Sequence, residues 1–455
     1  MTADGRSLTP LAIASGVILG LAYTLSPLTV LTLPVLVGLT WWASRDLEPA
    51  EKRWLRAVLI VGVTVRLVAV AALFLSAGDN HPFATFFGDE EMFKFRSVWL
   101  RNIGLGVPIS AADFIYAVEE TGKSQYLFLL AYLQALVGAA PYGVHLFNMT
   151  MYLAAALMLY RIVRASFGAV TAFGGLLVLL FLPSLFIWSI SALKEPLYTL
   201  LAAAELVCVL MIVRAPRWGG RVLAAVGVVA TAFMLEGLRK GGILVAAIGC
   251  VSGLAAGFIV TRPRVLLASI VLVPLAAAAA VAATGVEDRV LGILRDSAIY
   301  HVGHVFTPGY SYRTLDAFYY IDPADIRRMP MGDAVAYALR SLVAFVVQPL
   351  PWAIETRTAL AYLPEYVVWL SMVALMPIGF IAGLRRDAML TCVLAAHGCA
   401  IVLMVALTSG NVGTLIRHRG LALPYFVWFA ALGACEAVDR LTAPRMKILE
   451  PQRAV

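Results

Sequence analysis

Apolar residues gather along this chain in long unbroken stretches, with the polar residues confined to short gaps between them. A helix that crosses a bilayer needs about 20 apolar residues, with a lower bound near 17. Twelve stretches meet that measure: residues 9–25, 27–43, 57–76, 143–160, 169–188, 196–213, 222–238, 241–260, 265–284, 362–384, 388–408 and 420–437. Two more, 125–140 and 335–351, are short and contain or abut proline and polar residues. The loops 45–56, 161–164, 214–221, 261–264 and 385–386 are short and basic, and Arg440, Arg445 and Lys447 follow the last stretch. Residues 77–124 hold seven acids against four Lys/Arg, and residues 285–334 hold six, with Asp333 at the edge, against five Arg. Cytoplasmic loops carry the excess of Lys and Arg. If 125–140 and 335–351 are interfacial or re-entrant, every short basic loop falls inside. Both termini are then cytoplasmic and both long loops lie outside. The pattern predicts an all-α polytopic membrane protein of about 12 transmembrane helices plus two short re-entrant or interfacial segments. Backbone half-inserted in a membrane must be buried in protein or line a cavity, so both segments are expected near a working cavity.

Composition agrees. Of 455 residues 61% are hydrophobic and 14% charged, and the mean hydropathy is +0.87. Soluble domains run near 25% charged. This excludes a soluble enzyme, a nucleic-acid-binding domain and a disordered scaffold. The net charge of +8 is read as topogenic and not as a sign of an acidic partner. Cys208, Cys250, Cys392, Cys399 and Cys435 all lie inside apolar runs, without metal-binding spacing. Met1 to Ser7 carry one Arg before the first apolar stretch and no clear small-residue cleavage site, so a retained first helix is expected. No phosphate-binding loop, dinucleotide glycine pattern or nucleophile elbow appears.

Ionisable groups at membrane depth are costly and tend to be paired or functional. Gly88-Asp89-Glu90-Glu91 opens a segment with apolar positions at Phe93, Val98, Trp99, Leu100 and Ile103, a pattern for a helix on the membrane surface. Three consecutive acids exceed what a helix cap requires, although Asp89 or Asp79 also suits a cap. Lys194 precedes Glu195-Pro196, where a span re-enters the bilayer; it is either a surface pair with Glu195 or a contact for lipid phosphate. Glu236, Arg239 and Lys240 form a basic cluster on the expected outer side, against the charge rule, and Glu236 with Lys240 also makes an ordinary i,i+4 pair. Arg66 lies inside a span, as an interhelical ion pair or a cavity lining. His301 and His304, with Tyr300, Tyr310, Tyr312, Arg313, Tyr319 and Tyr320, mark the second outer loop, where the histidine spacing is too loose to argue for zinc. Gly410, Asn411 and Gly413 permit tight turns, and with Arg417 and Arg419 they make a candidate diphosphate clamp; the alternative is a flexible connector.

Read in order, residues 89–210 give an outer Asp89-Glu90 before a surface helix, then Gly122-Lys123-Ser124-Gln125-Tyr126, then Gly138 and Asn148. Tyr160-Arg161, Phe167-Gly168, Leu182-Pro183-Ser184, Trp188-Ser189 and Lys194-Glu195-Pro196 follow. This series resembles the C-type glycosyltransferase (GT-C) superfamily, in its bacterial branch of protein mannosyltransferases and lipid A sugar transferases. The later Gly410 to Arg417 loop and Gln348-Pro349-Leu350-Pro351-Trp352 also look like bacterial polysaccharide polymerases.

The resemblance implies a GT-C-like catalytic domain over residues 57–437, after an N-terminal hairpin and cytoplasmic loop (1–56) and before a cytoplasmic tail (438–455), in a bacterial inner membrane. It implies a glycosyltransferase acting on the outer face, moving a hexose or pentose from a polyprenyl-phosphate sugar donor to a cell-envelope glycan or lipid acceptor. Asp89, with Glu90 beside it, takes the catalytic carboxylate role. Lys123 matches the lysine that such enzymes aim at lipid phosphate, although Ser124-Gln125 stand where the lipid A relatives have prolines. Lys194, Arg239, Lys240, Arg313, Arg417 and Arg419 are the further candidates for that phosphate. A divalent cation (Mg or Mn) is the candidate cofactor, with Asp89 as its ligand. Membrane lipids are partners and nucleic acid is not. An O-antigen or exopolysaccharide polymerase is the alternative, and a transporter or flippase a more distant one.

Overall fold

The computed structural model describes residues 10, 12–16, 27–76, 85–120, 123–139, 142–269, 272, 275, 285–353 and 360–449. Asp79 and Gly122, and most of the expected spans 9–25 and 265–284, lie outside the described residues. The described chain is helical, and its one β-type pairing is the isolated antiparallel bridge between Ser311 and Asn411. The helices are α1 (Pro27–Ala43), α2 (Pro49–Ser76), α3 (Gly88–Gly104), α4 (Ala111–Val118), α5 (Gln125–Val137), α6 (Gly143–Phe167), α7 (Ala169–Phe181) and α8 (Pro183–Ile190). Then come α9 (Glu195–Arg214), α10 (Trp218–Leu238), α11 (Gly242–Val260), α12 (Val286–Val305), α13 (Met331–Val347), α14 (Leu363–Thr408) and α15 (Val412–Leu449).

Among the described residues seven helices are long and apolar enough to cross a membrane: α2, α6, α9, α10, α11, α14 and α15. The pair α7 and α8 makes an eighth if its two halves form one span. The chain is an α-helical membrane protein; among the described residues seven or eight candidate spans stand against the expected count of about twelve, two of which lie mostly outside those residues. The differences have local causes. The stretch 169–188 bends by 63° at Pro183, which cannot continue α7. The stretch 27–43 forms a helix of 17 residues, about 26 Å long and short of the ~30 Å hydrocarbon layer. The stretches 362–384 and 388–408 are the two halves of α14, counted as one helix of 46 residues although the backbone leaves helical geometry at Asp387, where φ is −157° and ψ 88°. The short segments became α5, of 13 residues, and α13, of 17.

The chain divides into two compact units. One comprises residues 1–159, 185–204 and 230–242, the other residues 160–184, 205–229 and 243–455. In the first unit, α3 turns a polar face inward: Glu90, Phe93, Lys94 and Ser97 are all buried, at the i, i+3, i+4, i+7 spacing of one helix side. Ser97 accepts a hydrogen bond from Gln134 Nε2 at 2.8 Å, and Arg101 donates to the Gln134 carbonyl at 2.8 Å, which fixes α5 against α3.

In the second unit the basic loops meet at one end. Asp387 accepts hydrogen bonds from Ser166 Oγ and Arg214 Nη2, both at 2.6 Å. Arg386 donates to the Phe167 carbonyl at 2.7 Å and pairs with Glu436 at 2.8 Å. The ends of α6 and α9, α15 at Glu436 and both halves of α14 are thus tied together, as expected of loops that share one side of a membrane.

Glycine spacing explains how α11 docks. A Cβ on Gly249 would come within 2.9 Å of His397 Cα, one on Gly253 within 2.8 Å of Val393 Cα, and one on Gly257 within 3.1 Å of Met389 Cα. Three glycines four residues apart therefore face three positions four residues apart on the second half of α14, running antiparallel. Small residues allow this close approach where lipid supplies no hydrophobic drive. Gly253→Leu is expected to cost about 1–3 kcal/mol, the range for overpacking a tight contact, read as a lower midpoint of thermal unfolding in detergent.

The expected outer loop 285–334 is folded, not open. Leu294, Ala298 and Val302 of α12 pack with Tyr319, Tyr320, Ile326, Met329 and Tyr337 in an apolar core. Tyr312 N–H donates to Gly410 O at 3.0 Å and Val412 N–H to Tyr310 O at 2.8 Å, joining this region to the start of α15. The Gly410 loop lies so close to the His301 carbonyl that a Cβ there has no room.

Candidate functional site

Residues 191–194, between α8 and α9, leave regular helix, and with Ser189 and Ile190 at the end of α8 all but Lys194 are buried. Their polar groups are satisfied by side chains from distant positions, all in the first unit. Arg66 Nε of α2 donates to Ser189 Oγ at 2.8 Å. His145 Nδ1 lies 2.6 Å from the Ile190 carbonyl, which accepts its proton. Asn148 Nδ2 lies 2.6 Å from the carbonyl oxygen of Ser191 and 2.7 Å from that of Leu193. Glu90 Oε2 accepts the Ala192 N–H at 3.0 Å. Buried irregular backbone is tolerated at such a place only when its N–H and C=O groups are met in this way.

Glu90 holds the other side of the arrangement. Its Oε1 accepts the Phe87 N–H at 3.2 Å, capping the start of α3. Its Oε2 lies 3.9 Å from His145 Nδ1. Lys94, one turn along α3 and 1% exposed, lies under the same carboxylate's field. Burial pulls the Lys94 ammonium below the usual lysine range, and Glu90 opposes that pull. Glu90 is fully buried and built into the frame, whereas Asp89 beside it is exposed.

The expected cations reach the same end of this unit. Lys194 Nζ donates to the Leu238 carbonyl at 2.9 Å, which sets it beside Arg239 and Lys240 at the end of α10. The turn there is closed by Gly241, with φ +85°, whose N–H donates to Glu236 Oε1 at 3.2 Å. Lys123 pairs with Glu120 at 2.6 Å. That bond, and after it Lys240 and Arg96, hold the Glu120 carboxyl below the usual carboxylate range. Lys123 and Lys240, far apart in sequence, thus share the field of one acid. Arg96 itself is buried and donates to the carbonyls of Ala117 and Glu119, closing the end of α4.

The other three cations belong to the second unit, and they differ. Arg313 is exposed, with its guanidinium 5.0 Å from the Tyr320 ring centre. Arg417 is half-buried near the start of α15. Arg419 is 1% exposed, and its Nη2 donates to the carbonyls of Phe345 at 2.5 Å and Gln348 at 2.8 Å, with the Trp369 ring 4.7 Å away. It closes the end of α13, and it points no free donor at solvent.

His301 acts as a staple. Its Nδ1 meets the Ser409 carbonyl at 2.6 Å, and its Nε2 meets Tyr320 Oη at 3.1 Å and Thr314 Oγ1 at 3.0 Å. Burial pushes the imidazole down to about 4, against the Ser409 hydrogen bond that favours the charged form. Since the folded value lies below the unfolded 6.5, the neutral ring's contribution is complete above pH 6.5. It is lost as pH falls towards 4, by about 3 kcal/mol in all. The unfolding midpoint of His301→Gln should fall less between pH 7 and 4 than that of the parent chain; an equal fall removes His301 from the acid response.

Sequence reasoning missed Glu205 and His397, each 1% exposed inside a membrane-spanning helix. The available signal was an ionisable side chain in the middle of an apolar run. Among the described residues, Asp89 does not belong to a group of three or more metal-ligating side chains; Glu205, Cys250 and His397 do. The apolar groove of about 490 Å³ between α1 and α2 is lined by Leu33, Val37, Trp41, Leu59 and Val63 and includes none of the acids above. Compared with known proteins, the chain matches no protein-family model, no curated protein and no solved structure.

Proposed function

We propose that the chain is a membrane glycosyltransferase that takes a sugar from a polyprenyl-phosphate donor, at the outer face of a bacterial inner membrane with both termini cytoplasmic. The observation that carries this reading is that Glu90, beside the exposed acid Asp89, holds the Ala192 amide two residues from Lys194, that Lys194 meets the Leu238 carbonyl beside Arg239 and Lys240, and that Lys240 and Lys123 act on the same Glu120. In the reaction an acceptor hydroxyl oxygen attacks the sugar's anomeric carbon as the bond from that carbon to the phosphate oxygen breaks. The polyprenyl phosphate leaves as an anion and needs no general acid. Asp89 takes the hydroxyl proton. The cations of Lys194, Arg239 and Lys240 stabilise the departing phosphate, Lys123 being already paired with Glu120. Glu90, buried beneath, is a positioning residue that holds Asp89 and the 189–194 stretch in register. The donor set around Asp89 does not make a metal site among the described residues, so no step is routed through an ion.

Purified protein incubated with a panel of radiolabelled polyprenyl-phosphate sugars is expected to release polyprenyl phosphate from at least one of them. Cleavage of none would refute the reading. Deletion of the gene is expected to shorten or alter one envelope glycan by a single sugar; a changed chain-length distribution with unaltered repeat units would favour polymerisation instead.

A further inference from the structure

The second unit contains a cluster that the glycosyl-transfer reading does not use. Glu205 lies midway along α9, Cys250 midway along α11, and His397 midway along the half of α14 that follows Asp387. One ligand atom from each, a carboxylate oxygen, the sulfur and a ring nitrogen, lie within 4.8 Å of one another. Three separate helices therefore bring their ligand-bearing residues together at mid-height.

We infer that Glu205, Cys250 and His397 form an intramembrane site for a divalent transition-metal ion of the zinc class. Several observations point to a ligand. Glu205 and His397 are each 1% exposed and Cys250 6%. Glu205 Oε2 and both ring nitrogens of His397 have no hydrogen-bond partner among the described residues. An unmet polar atom in an apolar interior is costly, and an unmet carboxylate oxygen and an unmet ring nitrogen gathered with a thiol sulfur are the signature of a missing partner. The sulfur–nitrogen–oxygen set suits zinc and its neighbours, while Mg²⁺ and Ca²⁺ prefer oxygen alone.

Charge supports the same choice. A thiolate and a carboxylate carry two negative charges and a neutral imidazole none, so a divalent ion makes the group neutral overall. That is the state in which such residues are least costly inside a bilayer. Loading replaces the Cys250 S–H···Glu205 Oε1 contact of 3.1 Å and releases the thiol proton. In a tetrahedral shell with bonds near 2.0–2.3 Å, ligand atoms sit roughly 3.4–3.8 Å apart. Closing the triangle from 4.8 Å takes a shift of about 1 Å, within the reach of the Glu205 side-chain torsions. Gly249 helps to seat the imidazole, since a Cβ there would lie 2.7 Å from His397 Nδ1. Three protein ligands leave a fourth position open.

The test uses the full chain in mild detergent, stripped with a chelator and titrated with Co²⁺ as a spectroscopic stand-in for Zn²⁺. One Co²⁺ per chain is expected, with a thiolate-to-cobalt charge-transfer band that Zn²⁺ abolishes by displacement. Cys250→Ser should lose that band, and Glu205→Gln and His397→Gln should each weaken binding at least tenfold. Cys399→Ser, outside the cluster, should change nothing. Absence of the band in the folded parent chain, or an unchanged band in folded Cys250→Ser, would overturn the site. If Cys250→Ser does not fold, X-ray absorption at the zinc edge of the loaded parent chain decides: one sulfur in the shell supports the site, and none refutes it. Sugar transfer is assayed separately, so this result and the glycosyl-transfer reading stand or fall apart.

Discussion

Asp89→Asn is expected to abolish sugar transfer, by at least about 100-fold, while leaving the protein folded and in the membrane. Loss of a general base typically costs 10²–10⁴ in rate. The substitution keeps the shape and hydrogen-bonding capacity of an exposed first-turn residue of α3, so the frame around Glu90 should survive it. The measurement is release of radiolabelled polyprenyl phosphate per mole of purified protein, alongside the unfolding midpoint. Full activity in the variant would remove Asp89 from the chemistry. Equal loss of activity and stability would assign it a structural role instead.

Glu90→Ala is expected to behave in the opposite way, as a folding defect of about 3–5 kcal/mol, the usual cost of leaving a buried charge without its partner. The change strips the Ala192 and Phe87 amides of their acceptor and leaves the Lys94 ammonium buried beneath. Adding Lys94→Met to Glu90→Ala should recover part of the loss, because removing both charges is less costly than removing one. The readout is thermal unfolding in detergent for the two single variants and the pair. Additive losses would show that Glu90 and Lys94 do not depend on one another.

What was legible in the sequence was the set of long apolar stretches and the grouping of short basic loops between them. Arg214 and Arg386 come together at Asp387, as loops on one face must. The number of spans was not legible, because a hydropathy window does not register where a helix bends. Pro183 breaks one stretch, and at Asp387 two others meet at a kink with no loop between them. The helix at Gly88–Gly104 was legible in position, but not the side it buries. Glu90 of α3 faces inward because His145 and the Ala192 amide meet it there, and those partners lie many residues away. The same blindness applies to Arg419, whose carbonyl partners at Phe345 and Gln348 are more than 70 residues distant. Glu205 and His397 escaped notice because one polar residue barely lowers the mean hydropathy of an apolar span.

The pinned stretch at 189–194 also bears on how this protein can change over time. Four side chains, Arg66, Glu90, His145 and Asn148, drawn from three helices, satisfy consecutive groups of one short stretch. Once one of them is lost the stretch is already loosened, so losing a second does less further harm, and their effects combine sub-additively. Descendants of this chain should therefore keep the four together or replace them together. In an alignment of relatives these positions should covary, even though none adjoins another in the sequence.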